Sequence, residues 1–475
     1  MTIKFGTDGW RAVISETFTF GNLRLVAQAI ADFAREENDT DPCVVIGFDT
    51  RFLSDRYAAE VARVMAANGV QTWLARADTP TPAVSYTVVN KKAAAGIMIT
   101  ASHNAPRYNG VKVKASYGGS ASVDQNRRIE KHLERNLALA HGPNLMDFDT
   151  AVAQQQIIRF DPAWAYYEHL STLVDLDTIS AAELRIVADG MFGAGRGVFG
   201  EVLARGRSRV HNIRHEMNPG FGGIHPEPIV KHLGMLMSTI QGGHWDIGLA
   251  TDGDADRIGA VDDEGVFVDP HRIFALVLRY LLEKRGWKGR VVRSVSTTRM
   301  VDRLAAKHGL ALVETPVGFN HIADEMLKGD VVMGGEESGG MSVQGHIPEG
   351  DGVLMGLLLL EVMADAGVPL HELVADLLSD VGPAYYARKD LRLSHPVSKA
   401  SMVRMLVDDS PARIDGVVVE ELQTTDGVKY YLEDGSWLLI RPSGTEPVLR
   451  VYAEALEEER VRSLLEFGQG VAENA

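Results

Sequence analysis

A single cysteine, Cys43, in 475 residues leaves no material for an intrachain disulfide or a multi-cysteine zinc site. That usage fits a reducing compartment. Cys43 opens the apolar stretch at 43–46 and reads as a small buried hydrophobe. Long apolar runs are equally scarce. The longest, 353–363, contains Glu361 and is too short to span a bilayer, so it reads as a buried helix and no membrane is expected as a partner. The opening MTIKFGTDGWR carries charged and polar groups where a signal peptide has an apolar core, so a cytoplasmic location is expected. Positive charge is short as well: 48 Lys and Arg against 64 Asp and Glu leave a net charge of −16, and no nucleic acid is expected as a partner. No G-x-x-x-x-G-K-[ST] occurs, which excludes a P-loop. Gly195-Arg196-Gly197-Val198-Phe199-Gly200 has the spacing of a dinucleotide fingerprint, but it starts several residues after its strand and lacks an acidic ribose partner.

What is present is a repeated grammar. Apolar runs at 44–48, 70–74 and 94–99 alternate with amphipathic stretches such as 55–68, which Gly69 closes. The pattern returns at 184–188, 245–250, 290–295 and 331–333. Such alternation predicts mixed, mostly parallel sheets covered by helices. Polar and glycine residues cluster just after most of these strands, where open α/β sheets bind ligands. The breakers His141-Gly142-Pro143-Asn144 and Gly382-Pro383 suggest three similar α/β/α units at 1–150, 155–262 and 263–372. Beyond them, short strands split by Asp426-Gly427 and Asp434-Gly435 and a closing helix at 457–466 read as a smaller α+β domain at 383–475.

Four of the loops carry chemistry. Thr100-Ala101-Ser102-His103-Asn104 offers a serine that is either a nucleophile or a turn cap; its flanks are not those of a hydrolase elbow. Lys112, on the next strand, is either an acid/base near that serine or a surface lysine. Thr251-Asp252-Gly253-Asp254-Ala255-Asp256-Arg257 places three carboxylates at alternate positions. Their repulsion in a tight loop calls for a divalent cation, although a solvated acidic turn is the plainer alternative. An EF-hand fits poorly, because Arg257 sits where its glycine belongs. Gly334-Gly335-Glu336-Glu337-Ser338-Gly339-Gly340 joins two carboxylates and a hydroxyl, suited to sugar hydroxyls or simply to a surface loop. Arg441-Pro442-Ser443-Gly444-Thr445-Glu446-Pro447 offers a guanidinium, hydroxyls and amides, a phosphate cradle by composition.

In this order, and together with the opening Phe5-Gly6-Thr7-Asp8-Gly9-Trp10-Arg11, the loops resemble those of the α-D-phosphohexomutase family, which contains phosphoglucomutases, phosphomannomutases and phosphoglucosamine mutases. The resemblance implies four domains around a central cleft, as a monomer or homodimer. It implies a phosphoserine at Ser102, and Mg²⁺ on Asp252, Asp254 and Asp256 with an oxygen of that phosphoserine. His103 and Arg257 would line the reacting phosphate, Lys112 matches the family's acid/base, and Arg11 lies in a motif that faces the same centre. Glu336 and Ser338 match the sugar-reading loop; Arg441, Ser443, Gly444 and Thr445 match the distal phosphate loop. The implied reaction interconverts hexose 1-phosphate and hexose 6-phosphate through a bisphosphate, glucose 1,6-bisphosphate for a glucose enzyme, with sugar phosphates as the only partners. Glu336-Glu337-Ser338-Gly339-Gly340 looks more like glucose-preferring members than the mannose or glucosamine forms. Asn320 stands where many relatives place a phosphate-binding lysine. A haloacid-dehalogenase-like phosphatase fits the acidic loop poorly, and intact Ser102 and Lys112 argue against a silent sugar-phosphate sensor.

Overall fold

The computed structural model describes residues 3–6, 9–393, 398–442 and 448–473. Strands that are apolar at every position need cover on both faces. Ala95–Ile99 and Ile247–Thr251 are buried throughout and lie inside their sheets. The first sheet runs, in spatial order, Trp10–Val13, Tyr108–Ala115, Ala95–Ile99, Cys43–Phe48, Gln71–Ala75 and Ile157–Phe160. The second runs Phe267–Val268, Ile258–Asp262, Ile247–Thr251, Arg185–Asp189 and Arg209–Ile213. The third has Leu312–Thr315, Arg290–Ser294, Val331–Gly335 and Met341–Val343. Seven of the twelve pairings in these sheets are parallel, the mixed and mostly parallel arrangement expected from the βαβ grammar. The fourth sheet is antiparallel and carries the helices Lys399–Asp408 and Glu458–Glu473.

Sheet pairing differs from the sequence divisions at two edges. Ile157–Phe160 pairs with Gln71–Ala75 and completes the first sheet, although it follows the breaker at 141–144. Phe267–Val268 pairs back onto Ile258–Asp262, so the second sheet reaches past residue 262. Both edge strands are recruited by non-local pairing, which local breakers do not report.

One geometric device recurs in all four units. Ala95–Ile99 turns into antiparallel Tyr108–Ala115, Ile247–Thr251 into Ile258–Asp262, and Val331–Gly335 into Met341–Val343. In the fourth sheet Trp437–Pro442 turns into Val448–Ala455. In the first three units the chemistry-bearing loop therefore occupies the tip of a hairpin.

The first and fourth units have hydrophobic cores of their own, whereas the second and third share a large one beside smaller clusters within each. The link is the helix Gly352–Ala366, buried from Gly352 to Met363 and capped by Asp351, which accepts from Leu354 N at 2.8 Å. Its buried acidic residue, Glu361, is tolerated there because Arg285 pairs with it and Tyr280 Oη and Asp175 N donate to it at 2.7 and 2.9 Å. Among the described residues no single helix is long and apolar enough to cross a membrane.

Candidate active site

The serine loop leaves Ala95–Ile99 and puts Ser102 at φ +50°, a left-handed conformation that costs a non-glycine residue free energy unless its surroundings hold it. Thr100 Oγ1 accepts from Ser102 N at 2.8 Å and donates to Asp49 Oδ2 at 2.6 Å. Ser102 Oγ donates to Asp252 Oδ2 at 2.8 Å and lies 3.3 Å from His103 Nδ1. Burial, followed by the charges of Arg257, Arg11 and Lys112, pushes His103 well below the usual imidazole range, so it faces Ser102 as a neutral ring. Arg11 Nη1 donates to Asn104 Oδ1 at 2.7 Å, which ties the opening motif to this loop.

The acidic loop meets the serine loop backbone to backbone as well as side chain to side chain. A Cβ on Gly253 would fall 2.4 Å from the Ser102 carbonyl oxygen, so only glycine permits this approach. From the other side, a Cβ on Gly193 would strike the Gly253 carbonyl at 2.7 Å. The glycine-rich segment that mimics a dinucleotide fingerprint thus begins beside a stretch that packs under the acidic loop. One oxygen from each of Asp252, Asp254 and Asp256 lies within 4.8 Å of the others. Burial, then the Asp256 and Asp254 charges, drives Asp252 well above the carboxylate range. Asp256 Oδ1 is buried with no hydrogen-bond partner among the described residues. Hard oxygen donors, mutual repulsion and an unused oxygen fit a divalent cation. Lys112 Nζ lies 2.8 Å from Asp254 Oδ2 and 2.6 Å from Asp256 Oδ2. Thr81 Oγ1 also reaches Asp254 Oδ2, at 2.6 Å, and Thr81 N donates to the Asp254 carbonyl at 2.9 Å. Burial works against the Arg257 charge, but Asp256, Asp252 and Glu227 outweigh it and raise its pKa.

The sugar-type loop abuts this centre: a Cβ on Gly350 would lie 2.8 Å from the Asp256 carbonyl oxygen and 3.1 Å from Gly340 Cα. Its two glutamates diverge. Glu337 Oε2 turns back into the third sheet to accept from Ser296 Oγ at 2.6 Å and Ser294 Oγ at 3.2 Å. Glu336 Oε1 accepts from Gly318 N at 2.7 Å, and Ser338 Oγ is buried with no hydrogen-bond partner among the described residues. Asn320, two residues beyond Gly318, is buried with Oδ1 in the same condition. In the fourth unit Arg441 Nε donates to Asp426 Oδ2 at 2.6 Å; Lys399 pairs with the same carboxylate, which also accepts from Val317 N at 3.2 Å. Ser443, Gly444 and Thr445 lie outside the described residues, as do Thr7 and Asp8.

The structure therefore gathers Ser102, His103, Lys112, Arg11, Asp252, Asp254, Asp256 and Arg257 in one centre, with Glu336 and Ser338 on an adjoining loop and Arg441 on the fourth unit. Sequence reading missed Arg51, Thr81 and Asp426. Thr81 is 173 residues from the aspartate it holds, and no local spacing signals such a pairing.

Four family models match the chain: phosphoglucomutase/phosphomannomutase alpha/beta/alpha domain I over residues 2–139, domain II over 164–265, domain III over 269–381 and the C-terminal domain over 402–467. A probable phosphoglucosamine mutase of Methanosphaera stadtmanae is 33% identical over 97% of this chain and 96% of its own length. A phosphoglucomutase of Komagataeibacter xylinus is 30% identical over 96% and 88%. Among solved structures, one from Thermus thermophilus assigned as a phosphomannomutase has a TM-score of 0.86 at 35% identity, covering 100% of this chain and 99% of that one. An Aspergillus fumigatus N-acetylphosphoglucosamine mutase in complex with GlcNAc-6P and magnesium shares the fold at a TM-score of 0.64 and 15% identity, covering 99% and 95%.

Proposed function

The chain belongs to the phosphoglucomutase/phosphomannomutase (α-D-phosphohexomutase) family, and we propose that it interconverts glucose 1-phosphate and glucose 6-phosphate through a phosphoserine at Ser102. The observation that carries this reading is the convergence on one buried centre of Ser102, Lys112 and the three aspartates, from three separate segments of the chain. Phosphoryl transfer asks chiefly for positioning and charge neutralisation, and this centre is built from such groups.

In the forward half-reaction the bond between Ser102 Oγ and phosphorus breaks as a bond forms from the free sugar hydroxyl to that phosphorus. The hydroxyl proton passes to Lys112 Nζ, which takes the acid/base role. The resulting bisphosphate turns end for end. Its other phosphate returns to Ser102 Oγ, and Lys112 gives the proton back to the departing sugar oxygen. Arg257 and Arg11 balance charge on the transferring group, and neutral His103 borders it. Asp252, Asp254 and Asp256 would hold Mg²⁺ with a phosphoserine oxygen, and a cation there supplies further neutralisation of phosphoryl charge. Arg441 with the residues after it would grip the phosphate that is not reacting, while Glu336 and Ser338 read ring hydroxyls in both orientations.

Glucose is favoured by the Glu336-Glu337-Ser338-Gly339-Gly340 loop, against relatives that bear mannose and glucosamine names. Incubation with glucose 1,6-bisphosphate followed by mass spectrometry tests the mechanism: phosphate belongs on Ser102, and a label on Asp252 or Asp254 would overturn it. Side-by-side kinetics on glucose, mannose and glucosamine phosphates, with the bisphosphate present, tests the sugar. A higher kcat/KM for mannose or glucosamine phosphate would replace glucose without touching the mechanism.

A further inference from the structure

Arg51 is only 2% exposed, and every one of its five guanidinium N–H groups has an acceptor. Nε donates to Asp49 Oδ2 at 3.1 Å. Nη1 donates to the carbonyls of Ala105 and Tyr108 at 2.9 and 3.0 Å. Nη2 donates to the carbonyls of Ser102 and Asn104 at 2.5 and 2.7 Å. Four carbonyls of the stretch from Ser102 to Tyr108 thus converge on a single planar cation. A guanidinium presents a rigid fork of donors, which an ammonium on a flexible stem cannot copy. With those carbonyls drawn inward, the Ser102 side chain is left facing the acidic loop.

The clamp is itself held from three sides. Asp49 Oδ1 accepts from Arg51 N and from Ser54 Oγ, each at 2.9 Å, while its Oδ2 takes both Arg51 Nε and Thr100 Oγ1. Thr100 Oγ1 in turn holds Ser102 N, so one carboxylate reaches both ends of the Ser102 residue. Ser54 Oγ accepts from Asn109 Nδ2 at 2.9 Å, which anchors the far end of the loop to the same network. Across the junction with the second unit, the Arg51 guanidinium lies over the Phe221 ring, 5.0 Å from its centroid, and Thr50 Oγ1 donates to the Phe192 carbonyl at 2.7 Å.

We infer that Arg51 is the positioning residue of the phosphoryl carrier: by gathering the carbonyls of Ser102, Asn104, Ala105 and Tyr108 it fixes Ser102 in its left-handed conformation and aims its oxygen at the aspartate cluster. This inference rests on Ser102 being the phosphate carrier. All five guanidinium donors are spent on Asp49 and the loop carbonyls, leaving none for the sugar or the acidic loop, so the effect of Arg51 falls on the chemical step and not on binding. A displacement of about 1 Å at the reacting atom costs on the order of 100-fold in rate.

The test compares the full-length protein with Arg51→Lys, Arg51→Met, Thr100→Val and Thr100→Ser. Steady-state kinetics is run with glucose 1,6-bisphosphate present, and Mg²⁺ binding is measured by calorimetry on the dephosphorylated proteins. Both Arg51 variants are expected to lose about 100-fold in kcat, with KM for the hexose phosphate and the Kd for Mg²⁺ within about threefold of the parent. Thr100→Val is expected to lose at least about tenfold in kcat and Thr100→Ser, which keeps the hydroxyl, to restore it. Should the Arg51 variants not fold, the threonine pair decides alone. The inference is overturned by Arg51→Lys turning over within about threefold of the parent. It is equally overturned by losses that raise KM and the Mg²⁺ Kd as much as they lower kcat, or by Thr100→Val behaving like Thr100→Ser. Absence of phosphate on Ser102 in the parent would remove the mutase reading instead, which mass spectrometry of the parent detects separately.

Discussion

Beneath Ser102 all five donors of Arg51 are satisfied and both oxygens of Asp49 are in use. In the wall formed by the third unit, Ser338 Oγ and Asn320 Oδ1 are buried with no hydrogen-bond partner among the described residues. An unsatisfied buried polar atom costs about 1–3 kcal/mol, a cost that a ligand's hydrogen bond can offset. On the proposed mechanism the floor is preorganised for a charge that is the same whichever sugar arrives. On the same reading the wall would hold polar atoms for sugar hydroxyls, which would offset their cost on binding. On the floor the comparable atom is Asp256 Oδ1, which a cation would take up.

The largest expected effect strikes the floor. Ser102→Ala removes the phosphate acceptor and should lower turnover by about 10⁴-fold or more, with no phosphate incorporated in mass spectrometry. Substantial activity in that variant would dissolve the contrast, since no carrier would then sit above Arg51. Asp254→Asn deletes one charge from the cluster and should cost about 10²- to 10³-fold in kcat while weakening Mg²⁺ binding in calorimetry. An unchanged affinity for Mg²⁺ would separate the aspartates from the cation.

Effects in the wall should be smaller. Glu336→Gln is expected to cut kcat/KM by about 10- to 100-fold on glucose and mannose 1-phosphates alike, the worth of a hydrogen bond to a charged group. The wall's junction with the fourth unit adds a pH dependence. Burial first, then the Arg293 charge, brings Lys429 down to about 7. Its Nζ donates to the Val295 carbonyl at 2.6 Å and to Glu314 Oε2 at 3.2 Å. Between about pH 7 and the ordinary lysine range the unfolded chain binds more protons here than the folded one, so stability rises with pH; below that window the cost of the buried charge is fully present. Relative to Lys429→Met, the parent should therefore gain about 2 kcal/mol from about pH 7 to 9 in urea melts, and parallel curves would assign the junction no titration. Ser338→Ala sharpens the comparison most finely. Its melting temperature should hold or rise slightly, because a partnerless hydroxyl is lost, while KM for the sugar phosphate climbs by up to about tenfold.

The order of strand and polar loop was readable because buried parallel strands leave continuous apolar runs, and the acidic loop was readable because its three carboxylates are close in sequence. Arg51 was not readable in the same way. Its partners are backbone carbonyls some fifty residues away, and a carbonyl has no letter in the sequence. Glu336 and Glu337 were readable as a pair but not as opposites; successive residues leaving a strand point to opposite sides, so one meets Gly318 N and the other the serines of the third sheet. The edge strand Ile157–Phe160 was hidden for a related reason, since its assignment depends on a partner at Gln71–Ala75 and not on its own composition.

The shared core of the two central units also sets a timetable. On a ribosome the last strand of the second sheet, Phe267–Val268, is made well before the helix that closes its core, which begins at Gly352. Translation at roughly 5–20 residues per second leaves an interval of several seconds in which the first unit, with its own core, can already be folded while the second still exposes apolar surface. Nascent chains are therefore most in need of a chaperone in that window, and a chain truncated before Gly352 should yield a sound first unit joined to a molten second one.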